Sequence, residues 1–268
     1  MKICLLGNNL TNLVLANILI KKKIRVEILY KPFNEKLANK TRTIAISNDN
    51  HIFLKKNIKL FNNLGWPSKN IKIYSEKSNS SELFAFQIKN ENNFYLVKYI
   101  EFTKLLKKNL KTNKFIKFIK LENYNYNFIK NNNYSLIINS DKNNPITKKF
   151  FHRSLEKKYN GLAYTTLINH LKTKNNTAFQ IFTKNGPLAF LPLSETQTSV
   201  VFSNDTEKKI EQKSVQSFIE KYNLKYKIKN FSEIEKFNIK FSILRNYFYK
   251  NILCFGDLLH KVHPLAGQ

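Results

Sequence analysis

Apolar positions along this chain show two textures. In the first half they come as continuous runs and helical stripes. Lys2–Leu6 reads as a buried strand, and a turn at Gly7–Asn9 follows it. Thr11–Lys21 then carries Leu13, Val14, Ala16, Ile18, Leu19 and Ile20, the crowding of a packed helix. Ile24–Tyr30 is a second strand, so the chain opens as a βαβ unit, the usual start of a nucleotide-binding sheet. The pattern next predicts a helix over His51–Leu64 closed by Gly65, and strands at Ile71–Tyr74 and Phe84–Ile88. It continues with an amphipathic helix over Tyr99–Leu110. Strands follow at Phe115–Leu121 and Tyr134–Asn139, separated by the Asn-rich turn Lys130–Asn133.

Beyond about residue 150 the runs shorten. Gly161–His170, Ala178–Thr183, Leu188–Pro192 and Ser199–Ser203 are β-like, with turns between them, and predict a largely antiparallel sheet. Glu207–Tyr222 reads as a polar-faced helix, and Ile252–Phe255 as a strand that rejoins the first sheet. The fold expected is α/β. Lys2–Leu6 and Ile252–Phe255 should share one sheet, and Gly161–Ser203 should form another.

Composition changes this picture little. The chain has 268 residues, 42% of them hydrophobic, with 22 Phe and 13 Tyr, which is a globular composition. The net charge of +28 would favour an anionic partner. The Lys residues are dispersed, however, and the excess of Lys, Asn, Ile, Phe and Tyr follows AT-rich codons. A solvated Lys-rich surface is expected, with no specific nucleic acid partner. Cys4 and Cys254 each lie in an apolar run and read as small buried hydrophobes rather than a disulfide pair. The opening residues do not resemble a signal peptide, and no apolar stretch approaches the ~20 residues of a membrane span. A cytoplasmic location is expected, with peripheral association at the inner face of the membrane left open.

The candidate chemistry sits at strand ends. Gly7-Asn8-Asn9-Leu10-Thr11-Asn12 stands where a dinucleotide fingerprint G-x-G-x-x-G would lie, and only the first glycine is present. Asn9 places a side chain where a diphosphate should come close, and Asn12 places one where helix and strand should touch. Tyr30 and Lys31 occupy the end of the second strand, where an acidic residue would hold a ribose. Arg42, ahead of a helix, suits phosphate oxygens. Gly256 lets backbone approach a ligand closely, and Asp257 can receive a sugar or ribitol hydroxyl. His260 and His263 lack neighbouring ligands and make a weak metal site.

Four of these stretches together resemble the flavin-dependent aromatic hydroxylases, in particular the ubiquinone-biosynthesis hydroxylases. Gly256–Gln268 is similar to their GD-x-x-H-x-x-x-P-x-x-G-Q segment, and Gly186–Leu193 to G-P-x-A-x-L-P-L. Thr41–Ser47 with Leu64-Gly65-Trp66 is similar to D-x-R-x-x-A-L-S … L-G-x-W, and Tyr134–Lys142 to the segment that ends in Asp-Gly. Asn39 and Lys142 depart from the pattern, as do Pro145 and Lys148 or Lys149.

The resemblance implies a Rossmann-like FAD-binding domain, residues 1–75, 95–155 and 250–268, with an inserted mixed β-sheet substrate domain, residues 76–94 and 156–249. It implies cofactor contacts at Gly7, Arg42, Asp141, Gly256, Asp257, Pro264 and Gly267, and substrate-side positions at Pro192 and Leu193. Arg42 would reach the diphosphate, Asp257 the ribitol, and the turn with Pro264 and Gly267 the flavin ring. Asp141 reads equally well as a simple turn residue. No catalytic side chain is required, because FAD carries the reactivity, with O2 as co-substrate and NAD(P)H or another reductase system as electron donor. The implied substrate is a polyprenylated phenol in ubiquinone biosynthesis, with a quinone-biosynthesis assembly or membrane surface as partner. The family continues with a G-x-N-x-G stretch and a long helix that this sequence does not include. Two alternatives follow from the departures: a truncated or degenerate homologue that folds without holding FAD, and a non-catalytic component bound to anionic membrane.

Overall fold

The computed structural model describes residues 1–31, 40–58, 61, 64–76, 82–87, 91–121, 126–204 and 211–261, without the side chains of residues 158–160. In chain order the strands of the first half are β1 (Lys2–Leu6), β2 (Arg25–Tyr30), β3 (Thr43–Ser47), β4 (Trp66–Ser68), β5 (Asn70–Ser75), β6 (Glu82–Gln87), β7 (Phe94–Lys98), β8 (Ile116–Lys120) and β9 (Leu136–Asn139). Those of the second half are β10 (Ser154–His170), β11 (Thr177–Thr183), β12 (Gly186–Pro192), β13 (Gln197–Asn204), β14 (Ile228–Phe231), β15 (Glu235–Leu244), β16 (Phe248–Tyr249), β17 (Ile252–Cys254) and β18 (His260–Lys261). The helices are α1 (Leu10–Lys21), α2 (Asn48–Asn57), α3 (Tyr99–Lys111), α4 (Tyr126–Asn131), α5 (Pro145–Phe150) and α6 (Gln212–Lys221).

Successive residues of a strand point to opposite faces, and β1 is apolar on both. Ile3 and Leu5 enter the core beneath α1 and α3, while Cys4 and Leu6 enter the core shared with Ile129 of α4 and Ile146 of α5. A strand buried on both sides belongs at the centre of a parallel sheet. β1 accordingly lies between β9 and β2 in a six-stranded sheet of order β16-β17-β9-β1-β2-β8, parallel except for β16. The last segment therefore returns to the first, as expected. Cys4 and Cys254 are free and buried.

The second sheet has nine strands and contains the antiparallel run β10-β13-β12-β11, in which β11 to β13 form a meander and β10 joins on β13. It packs on α6, with Phe190, Phe202, Val215 and Ile219 at the core. Leu188–Pro192 thus belongs to a different sheet from Lys2–Leu6. A third sheet, β3-β7-β4, stands between the two.

Several boundaries differ from the sequence reading. β5, placed with the first domain by the range 1–75, instead pairs parallel to β11, so Ile71 and Ile73 align with Ala178 and Gln180. The helix expected over His51–Leu64 stops at Asn57. There the Asn57 side chain donates to the Phe53 carbonyl, and Ile58 turns extended at φ −124°, ψ 109°. α5 was not anticipated, although Asn144 caps it by accepting from Thr147 N and Pro145 sits in its first turn. The Asn-rich turn near residue 130 follows a further helix, α4. Among the described residues no helix is long and apolar enough to cross a membrane.

Candidate functional site

The turn after β1 is built from side chains. Gly7, at φ +96°, donates its N–H to the Leu29 carbonyl at 2.8 Å, and a Cβ there would lie 3.0 Å from the Asp141 Cβ. Asn9 is the N-cap of α1: its Oδ1 accepts from Asn12 N at 3.1 Å, and its Nδ2 donates to the Ser140 carbonyl at 2.9 Å. Asn12 is fully buried, and its Nδ2 donates to the carbonyls of Leu6 and Gly7 at 2.8 and 2.7 Å. Its Oδ1 has no hydrogen-bond partner. The side chain thus fills the seam between helix and strand that a glycine would leave open.

The turn after β17 is built from bare backbone. Gly256 adopts φ +66°, and a Cβ on it would meet Thr11 Cγ2 at 2.8 Å. Only glycine allows this approach, which sets Asp257 beside the start of α1. Arg42 completes the arrangement just ahead of β3. Its guanidinium carbon lies 5.0 Å from the centroid of the Tyr99 ring, and its carbonyl accepts Tyr99 N at 2.9 Å.

These segments surround one cleft of about 600 Å3. Asn9, Leu10 and Thr11 line it from the cap and first turn of α1, Arg42 to Ala45 from the start of β3 and the residue before it, Phe94 and Tyr99 from β7 and α3, and Asp257 from the turn after β17. Of the residues singled out in the sequence, Asn9, Arg42 and Asp257 line the cleft. Gly7 and Gly256 shape its wall through backbone geometry. Asp141 backs Gly7 and does not line the cleft; its Oδ1 accepts Asn143 N at 2.9 Å, as a turn residue does. Pro192 is buried opposite Thr198, and Leu193 packs in a small core with Phe94, which itself lines the cleft. Pro264 and Gly267 lie outside the described residues. Phe94, Tyr99 and Asn50 were not anticipated; Tyr99, at the start of an evident helix, carried the one available signal.

A flavin dinucleotide would find most of its partners here. A guanidinium, a carboxylate and the N-terminal end of a 12-residue helix open on a cavity of suitable size. The fit is weakest at Asn9, whose side chain already occupies the Asn12 amide. At the end of β2, Tyr30 packs edge-on against Phe118 and presents no carboxylate. Burial pushes the Cys254 thiol up to about 12, so no thiolate stands near the Asp257 turn at neutral pH. Among the described residues no group of three or more His, Cys, Asp or Glu side chains could hold a metal.

No protein-family model matches the chain. It is 28% identical to the mitochondrial ubiquinone biosynthesis monooxygenase COQ6 of Danio rerio, over a segment covering 36% of this chain and 28% of that relative's own length. Among solved structures it superposes on p-nitrophenol 4-monooxygenase PnpA of Pseudomonas putida DLL-E4 with a TM-score of 0.73 at 10% identity, covering 98% of this chain and 73% of the other. It superposes on PqsL of Pseudomonas aeruginosa with a TM-score of 0.75 at 12% identity, covering 100% and 81%. The chain therefore has the α/β fold of the FAD-dependent aromatic monooxygenases and, within that fold, resembles the ubiquinone-biosynthesis hydroxylases in sequence.

Proposed function

We propose that this chain is an FAD-dependent monooxygenase that hydroxylates the aromatic ring of a polyprenylated phenol in ubiquinone biosynthesis. One observation carries the reading: Asn9–Thr11, Arg42 and Asp257, from distant parts of the sequence, meet around a single cleft. In this reading Arg42 and the start of α1 take the diphosphate, and Asp257 accepts a ribitol hydroxyl. When bound, the flavin supplies the reaction of O2 with the ring, reduced by NAD(P)H or a partner reductase. The protein binds, orients and excludes water. The apolar cluster of Leu193, Phe94 and Leu191 adjoins the cleft and suits the ring side of a lipophilic substrate. The substrate partitions into a bilayer, so a peripheral position at the membrane follows, and the charge of +28 would support it on anionic lipid.

Asn9 and Asn12 favour a second reading, a homologue that folds but holds FAD weakly or not at all. Flavin absorbance of the purified protein and quenching of FAD fluorescence on titration separate the two. Stoichiometric flavin supports the enzyme. Colourless protein that leaves FAD fluorescence unchanged supports the second reading and removes the first.

A further inference from the structure

Glu235 lies outside the cleft, as the first residue of β15 in the nine-stranded sheet. The geometry points to it as the positioning residue that holds Arg42 in place. Its carboxylate takes three donors from the two residues ahead of Arg42. Oε1 accepts Lys40 N at 2.8 Å, and Oε2 accepts Thr41 N at 3.3 Å and Thr41 Oγ1 at 2.7 Å. Successive backbone N–H groups converging on one anion form a strong, directional seat. Thr41 is 2% exposed, and its Oγ1 lies 2.9 Å from Thr165 Oγ1, on the residue paired with Glu235 across β10 and β15. Lys40 and Thr41 precede β3, which begins at Thr43, so this side-chain seat does the work that a strand partner would do.

Arg42 itself is exposed at the rim of the cleft. A long side chain loses affinity for an anion to the extent that binding must order it and its backbone. On its C-terminal side, Thr43 Oγ1 is 3.0 Å from Ser199 Oγ, and the Arg42 carbonyl holds Tyr99 N. On its N-terminal side Glu235 supplies the anchor. Among the described residues no ion pair joins Glu235 to Arg42, so the guanidinium charge remains for a ligand while the carboxylate is used by backbone. The second sheet thereby sets the position of a cofactor-site residue that belongs to neither large sheet. The ligand part of this inference rests on the diphosphate reading of the cleft.

The test measures hydrogen exchange at the Lys40 and Thr41 amides and tryptic cleavage after Arg42. It adds ADP and FAD affinity, in the wild type and in Glu235→Ala, Glu235→Gln, Arg42→Ala and the double variant Glu235→Ala/Arg42→Ala. Glu235→Ala should lose protection at both amides, speed cleavage after Arg42, and weaken ADP by about 2- to 10-fold, the range expected from ordering one long side chain. Glu235→Gln, nearly isosteric and still an acceptor, should recover part of each effect and guards against a folding defect. In the Arg42→Ala background, Glu235→Ala should cost no further ADP affinity, because both changes remove the same contribution. Equal losses in both backgrounds would overturn the proposal, as would unchanged exchange and cleavage in Glu235→Ala. A wild type that binds neither ADP nor FAD would refute the diphosphate reading of the cleft. The exchange and cleavage results would still decide the anchoring of Arg42.

Discussion

The turns after β1 and after β17 lie at the ends of strands separated only by β9, touch at Thr11 and Gly256, and are built in opposite ways. The first is held by side-chain amides. Asn9 caps the helix and Asn12 ties the turn to the Leu6 and Gly7 carbonyls. The second is held by a glycine at φ +66° whose missing Cβ is what allows the contact. The fold tolerates both solutions, because a buried carboxamide can satisfy backbone carbonyls as well as close helix packing can hide them. A ligand does not treat them alike. A diphosphate needs bare N–H groups at a helix start, and Asn9 competes for them. A hydroxyl needs only a placed carboxylate, and Asp257 keeps that capacity. Erosion of one half of a cofactor site can therefore leave the scaffold intact and the other half ready.

The largest expected effect tests the glycine-built turn. Asp257→Ala should weaken FAD by about 10- to 100-fold, the loss of one charge-assisted bond of ~1.5–3 kcal/mol, while the denaturation midpoint stays near wild type. Unchanged FAD affinity would remove Asp257 from the site. Next in size, Gly256→Ala should cost about 1–3 kcal/mol of stability by urea unfolding, from positive φ and the clash with Thr11. Thr11→Ala should relieve only the clash part, and full rescue would show that φ carries no strain.

Asn9→Gly should behave differently from both. It should cost about 1 kcal/mol, since glycine is a tolerated N-cap but the bonds to Ser140 are lost, yet tighten ADP and FAD by uncovering the Asn12 amide. Weaker ligand binding would mean that Asn9 assists the site instead of blocking it.

The smallest effect supplies a baseline for all three. His51 and His170 have pKa values lowered from 6.5, chiefly by burial. His170 Nδ1 lies 2.9 Å from the Leu171 carbonyl, so it carries the proton, and Nε2 faces Thr198 Oγ1 at 3.0 Å. The unfolded chain takes up protons first as pH falls. Stability from the neutral histidines is thus complete above about pH 6.5 and declines below it. Every turn variant should show the same acid slope; a variant that does not has altered more than its turn.

The βαβ opening was legible because the apolar run Ile3–Leu6 and the largely apolar segment Ile24–Tyr30, broken only by Arg25 and Glu27, flank a dense helical stripe. The same held for the return of Ile252–Phe255 and for the separate sheet. The alternation Phe237, Ile239, Phe241, Ile243 marks β15 equally plainly, yet no strand was read there. α5 is short, and its Pro145 and Lys148 stand at departures from the family motif, which masks the helix start at Asn144-Pro145. Arg42 and Asp257, singled out by their neighbours in sequence, both line the cleft. The capping role of Asn9 was not legible, because its position within the fingerprint stretch shows only that a side chain replaces glycine. The Glu235 seat could not be read at all, because Thr41 and Glu235 are 194 residues apart and only the fold brings them together.

The strand order of the six-stranded sheet also bears on how the chain emerges during synthesis. β9 finds β1 by residue 139, but its other edge stays bare until β17 is made at residues 252–254. In between, β11, β12 and β13 can pair with their sequence neighbours as they appear, and β10 is joined once β13 arrives. For more than a hundred residues of translation, the first sheet therefore presents an unpaired, apolar edge at Ile137 and Ile138. Such an edge invites pairing with other chains, which makes this interval the point at which a chaperone or slow translation would most affect the yield of folded protein.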